Sequence, residues 1–212
     1  NYGIRLASSS SDNTVTGNIC NNNGNTGICL SSSNNNTMSG NTCNNNGTYG
    51  IDLDNSNNNT VTGNTCNNNG PYGIRSGKSS SDNTISGNTC NNNVSGIYLN
   101  NSNNSTITGN TCNNNETYGI YLFSSGDNTI NNTISGNTCN NNGTCGICLY
   151  SSSNNTVTGN TCNNNSSYGI HLSSSSSNNC IVENVLVDNN TAYLDEGGGT
   201  GNIEANNVKK NK

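Results

Sequence analysis

The apolar residues of this chain recur at fixed offsets. Gly-Ile pairs place isoleucine at Ile4, Ile28, Ile51, Ile74, Ile97, Ile120, Ile147 and Ile170, with successive spacings of 24, 23, 23, 23, 23, 27 and 23 residues. In the motif GIxL, alternation with a period of two sends Ile and Leu to one face and the residue between them to the other, which predicts a short strand. The Leu column runs Leu6, Leu30, Leu53, Ser76, Leu99, Leu122, Leu149 and Leu172. Ser76 is its one lapse, and leucine at that position is expected to stabilise the stack. A second strand, N-T-V-T-G or a close variant, turns Val15, Met38, Val61, Ile85, Ile107, Ile134, Val157 and Ile181 inward. Five residues after each comes a third inward position, filled by Cys20, Cys43, Cys66, Cys90, Cys112, Cys139 and Cys162 and then by Leu186.

Three short strands with polar corners, repeated about every 23 residues, predict an all-β single-stranded parallel β-helix of about eight coils, in which each coil pairs with the next. Helix is a poor alternative, since Asn, Ser, Thr and Gly favour turns and strands over helix interiors. At ~4.8 Å per coil the rod is ~40 Å long. Asn18, Asn41, Asn64, Asn88, Asn110, Asn137, Asn160 and Asn184 form a further column, just before the cysteines. Stacked amides there would make a tight corner without unpaired polar groups. The extra residues of the sixth coil, within Ser125 to Asn132, are expected to form an external loop. Residues 1–194 read as the β-helix, with Leu194 as a last inward residue, and 195–212 as a degenerate coil, cap or tail. Lys209, Lys210 and Lys212 would discourage edge-to-edge stacking at that end.

Composition alone points elsewhere. With 8% charged and 5% aromatic residues and long Asn/Ser tracts, the chain resembles disordered or prion-like sequence. The repeat overrides this, because stacked units merge small apolar faces into one core. The net charge of -5, with six Lys and Arg, gives no footprint for nucleic acid. No apolar run approaches the ~20 residues of a membrane span. The chain begins inside a repeat, at NYGI, as a mature or excised piece would.

Units such as NNTVTGNTCNNNSSYGIHLSSSSSNN, from Asn154 to Asn179, resemble the right-handed parallel β-helix repeats of the pectate-lyase-like superfamily. They are similar above all to those of archaeal surface proteins and of the periplasmic copper-protein accessory family NosD. The resemblance covers almost the whole chain and is specific for fold, since the same coil carries lyases, hydrolases, sugar binders and structural proteins. Cysteine stands here where those repeats commonly have an inward Ile or Val.

Candidate chemistry sits on the outward positions. The first strands present Arg5, Cys29, Asp52, Arg75, Tyr98, Tyr121, Cys148 and His171 in turn. Asp52, Asp54 and Arg75 form the only compact acid-base group, which reads either as a catalytic cluster of a sugar-active enzyme or as a surface ion pair. Tyr98 and Tyr121 would stack on sugar rings or serve as strand formers. Cys29 and Cys148, outward on one face, are candidates for covalent assembly or local pairing, whereas the seven inward cysteines read as small buried hydrophobes. Cys145, Cys148 and His171 suggest a metal site, but alternation sends the two cysteines to opposite sides unless the turn before Gly146 twists. The paired hydroxyls of the second strands, such as Thr14 and Thr16 or Thr60 and Thr62, resemble ice-binding arrays. Sequons at Asn35, Asn58, Asn115, Asn142 and Asn165 suit a glycoprotein of the cell surface or exterior.

The leading expectation is an extracellular, self-assembling structural module of a surface layer, sheath or filament, without a cofactor. The alternative is a carbohydrate-binding or polysaccharide-cleaving β-helix with glycans as partners, and an ice-binding solenoid ranks third.

Overall fold

The computed structural model describes residues 1–77, 79–124, 131–196 and 198–212, with Leu194 described by its backbone alone. It is a parallel β-solenoid of two nine-stranded sheets and a third, narrower face. The first sheet stacks the GIxL strands in chain order, from Ile4–Ala7 through Ile28–Ser31, Tyr49–Asp54, Tyr72–Gly77, Ser95–Asn100, Tyr118–Phe123, Cys145–Tyr150 and Tyr168–Ser173 to Thr191–Asp195. The second sheet stacks the three-residue strands from Thr14–Thr16 to Ile203–Ala205. The third face consists of single bridges, Ile19 to Thr42 to Thr65 and onward to Val185, and closes with Val185–Asn189 beside Val208–Asn211. The winding thus extends one turn past the eight expected, because residues 203–211 still pair in register with the coil before them.

Register explains the core. Ile28, Ile51, Ile74, Ile97, Ile120, Ile147 and Ile170 sit directly opposite one another from coil to coil, as do the residues of the Leu and Val/Ile columns. A one-residue slip would turn every apolar side chain outward, so the pattern fixes the pairing. Between Cys43 and Cys162 every member of the Cys column is fully buried, and the thiols of adjacent coils interact with one another. Burial heads the causes that push Cys66 and Cys90 far above the ordinary thiol value. Cys66 and Cys90 are thus inert packing groups.

The polar interior is larger than one asparagine column. In the expected ladder, Asn110 Nδ2 donates to the Ile85 carbonyl at 2.9 Å and to Asn137 Oδ1 at 3.0 Å, and the Asn110 backbone N–H donates to the same Oδ1 at 2.9 Å. A second ladder runs through Asn46, Asn69, Asn93, Asn115, Asn142, Asn165 and Asn189. A third runs through Asn36, Asn59, Asn83, Ser105, Asn132, Asn155 and Asn179. Each ladder satisfies buried backbone groups at one corner.

Several expectations are corrected by this geometry. Asn115, Asn142 and Asn165 are buried in the second ladder, so a glycan cannot reach them in the folded rod. Asn35 and Asn58 lie at exposed corners with φ of 57° and 55°, a conformation asparagine tolerates. Ser76 points inward and is fully buried, but it is no gap in the stack. Its hydroxyl donates to the Ser80 carbonyl at 3.0 Å and lies 3.2 Å from the Ser102 hydroxyl. Asn132 belongs to a ladder, and residues 125–130 of the expected loop lie outside the described residues. The backbone register sets Leu194 opposite His171, while the inward role expected of its side chain also lies outside the description.

Candidate functional site

The outward face of the first sheet gathers the diverse side chains. A glycine before each isoleucine shapes this face. At Gly50 an added Cβ would lie 2.6 Å from the Gly73 carbonyl oxygen and 2.7 Å from Cys66 Cβ, so only glycine lets the coils close there. The bend carries the residue before the glycine to the outside. Residues i and i+3 of YGIx then share one surface, which strict alternation does not foresee.

The consequence is a continuous aromatic stripe. Tyr49 stacks on Tyr72 at 5.6 Å between ring centroids, Tyr72 on Tyr98 at 4.4 Å and Tyr98 on Tyr121 at 5.4 Å. Tyr118 packs against Tyr121 at 4.6 Å, and Phe123 and Tyr150 extend the group. Because the rings stack coil on coil, their faces are occupied by one another. The stripe therefore presents ring edges and phenol hydroxyls, rather than the open faces expected of Tyr98 and Tyr121. Burial, then the neighbouring Tyr72, pushes the Tyr98 hydroxyl up to about 12 against the opposing pull of Arg75. It remains a hydrogen-bond donor at neutral pH.

At one end of the stripe Arg75 lies 5.0 Å from the Tyr49 ring centroid. Its guanidinium reaches Asp52 at 3.5 Å and Asp54 at 3.3 Å, so the three residues singled out in the sequence do come together. The group is well covered, with Asp52 only 6% exposed. One guanidinium holding two carboxylates fixes all three side chains.

Cys29 and Cys148 take outward register positions, yet they are only 5% and 4% exposed. Neighbouring long side chains cover both thiols, and a disulfide to another rod would first have to displace them. Cys145 and Cys148, by contrast, do meet. The bend at Gly146 brings both thiols and a ring nitrogen of His171 within 4.8 Å of one another. The Cys145 thiol donates to Cys148, and this bond, working against burial and aided by His171, draws the Cys148 thiol down to about 6. Burial works against a charged His171, but Cys148 and Glu196 outweigh it and raise its pKa. Sequence reasoning missed Glu196, whose Oε1 lies 2.8 Å from His171 Nε2, and Tyr168, which stacks on the imidazole at 4.4 Å. Tyr168 precedes a Gly-Ile pair, which is the signal that would have found it.

Fold and outward face together define a right-handed parallel β-helix repeat protein. The family described as right handed beta helix region matches residues 1–133, and the family described as periplasmic copper-binding protein (NosD) matches residues 72–212. Each covers more than half of the chain, which therefore belongs to the NosD-type β-helix repeat proteins. No curated protein sequence matches it. Among solved structures, the A-module of the Azotobacter vinelandii mannuronan C-5 epimerase AlgE6 is similar, with a TM-score of 0.83 and 19% identity over 94% of this chain and 59% of that one. The periplasmic alginate epimerase AlgG gives a TM-score of 0.77 and 21% identity over 87% of this chain and 48% of that one. A tailspike protein of the E. coli bacteriophage HK620, solved with a hexasaccharide, gives 0.65 and 16% over 96% and 47%. At these identities the likeness is one of fold, and the chain spans about half the length of the proteins it matches.

Proposed function

We propose that this chain is a carbohydrate-binding β-helix that lays an extended glycan along the outward face of its first sheet. The observation that carries the reading is the stripe from Tyr49 to Tyr121, a row of phenol hydroxyls held at coil spacing and closed at one end by Arg75 with Asp52 and Asp54. A repeating ligand suits a repeating surface, because each coil can donate to the next sugar. Rigid tyrosines lose little conformational entropy in doing so. The similar folds of alginate epimerases and of a tailspike protein solved with a hexasaccharide support this alternative over a surface-layer role. Both acids engage Arg75, which favours binding over proton abstraction. The NosD family and AlgG are both described as periplasmic, and a place outside the cytoplasm fits the reading.

Calorimetry against alginate, neutral polysaccharides and bacterial-surface oligosaccharides tests this. Binding by wild type that falls at least tenfold in Tyr98→Ala/Tyr121→Ala, with the fold retained by circular dichroism, is the expected result. Binding that ignores the double substitution, or none across the panel, overturns it.

A further inference from the structure

Beyond the stripe, the same face changes character. In the coil of Cys145–Tyr150 the two positions that carry Tyr118 and Tyr121 one coil earlier are Cys145 and Cys148, and the next coil supplies His171 beside Cys148. Three donor atoms converge within 4.8 Å. Two thiolates on a tetrahedral metal at ~2.3 Å stand about 3.8 Å apart, so a small rotation of these side chains closes the set around one ion.

The surroundings are those of a prepared site. Cys145 is fully buried and Cys148 is 4% exposed, which shields the sulfurs from water. Tyr168 holds the imidazole from one face. Glu196 Oε1 lies 2.8 Å from Nε2, so Nδ1 is the nitrogen left to meet an ion, in the arrangement of carboxylate, histidine and metal that orients a ligating ring. Among the described residues Cys29 belongs to no such group, its register partners being Arg5 and Asp52.

We propose that Cys145, Cys148 and His171 bind one thiophilic metal ion, Zn(II) or Cu(I), with Glu196 as the outer carboxylate that orients His171. The donor set selects the ion class: two soft thiolates and one imidazole favour these ions over Mg(II) or Ca(II), which take oxygen ligands. Three protein ligands satisfy Cu(I) and leave the fourth position of a tetrahedral Zn(II) to one exogenous ligand. Both cysteines bind as thiolates, and any proton that they still carry passes to solvent as the metal binds. The site does not depend on the glycan reading, since it uses none of the stripe residues.

The full chain, reduced and freed of metal, is titrated with Zn(II), with Co(II) as its spectroscopic stand-in, and separately with Cu(I) against a competing chelator. His171 is the only histidine in the sequence, so its imidazole resonances report ligation without assignment. The expected result is one ion per chain, thiolate-to-cobalt charge-transfer absorption and a shifted His171 signal. Cys145→Ser/Cys148→Ser should abolish all three, and His171→Gln should abolish stoichiometric binding while sparing the buried thiols. Glu196→Gln should weaken affinity about 10–100-fold, while Cys29→Ser and Cys180→Ser bind as wild type. The proposal is overturned if reduced wild type binds no more tightly than His171→Gln, if Cys29→Ser or Cys180→Ser removes the ion, or if Cys145 and Cys148 are recovered only as a disulfide that takes up no metal after reduction.

Discussion

The two large sheets share an interior and differ on the outside. The second sheet repeats one outward pair of hydroxyls from Thr14 and Thr16 to Thr156 and Thr158, whereas the first sheet changes its outward residue at almost every coil, from Arg5 to His171. Their inward columns are both nearly uniform and, away from the first coil, fully buried. A uniform column is what coil stacking requires, because each residue must fit the same space above and below it. Variation is freest where the side chain leaves the core, and over these coils the first sheet uses that freedom far more than the second. Its outward face is the place to look for chemistry, and the second sheet serves as an internal control.

That contrast can be broken most sharply from inside. Asn137→Leu removes the acceptor of the Asn110 N–H and amide and the donor to the Ile107 carbonyl at 2.9 Å. At about 1–3 kcal/mol per orphaned buried group, a loss of roughly 2–5 kcal/mol is expected, read as a fall in the urea midpoint. Ser76→Leu comes next. Overpacking together with the loss of two hydrogen bonds should cost about 2–4 kcal/mol, and a rise in melting temperature would restore the idea of an unfilled gap. Cys66→Ser should cost about 1–3 kcal/mol, through a hydroxyl placed among thiols and aliphatic chains. Thr156→Val, on the outward face of the second sheet, should stay within about 0.5 kcal/mol in the same melts. A larger loss there would mean that the hydroxyl rows also hold the rod together.

The inward columns were legible because burial imposes one chemical type at each offset, and Ile, Leu, Val and Cys advertise it. The outward face was legible only in part. Asp52, Asp54 and Arg75 could be grouped from the spacing alone, since register sets neighbouring coils side by side. The union of Cys145 with Cys148, and of Tyr118 with Tyr121, could not, because a bend at glycine breaks the alternation on which the reading rested. Likewise the sequons at Asn115, Asn142 and Asn165 gave no warning of burial. An asparagine that caps a buried corner and one that meets solvent are written with the same letter, and only the direction of the amide separates them.

That direction has a further consequence. Where asparagine follows asparagine in the three ladders, one amide hydrogen goes to the side-chain carbonyl of the next coil, as from Asn155 to Asn179 and from Asn160 to Asn184. The other hydrogen of Asn160 goes back to a backbone carbonyl of the preceding coil, that of Ile134. Every side-chain carbonyl in these pairs therefore faces the coil before it. Side-chain amide dipoles of this kind add head to tail as peptide dipoles do in a helix, while the backbone of a sheet contributes little net moment. The rod is therefore electrically polar. In the coil of Ile203–Ala205 the forward hydrogens of Asn202 and Asn207 meet carboxylates, Asp195 Oδ2 and Glu204 Oε1, each at 2.8 Å. Two acids in a chain with few charges thus sit where aligned amides concentrate partial positive charge.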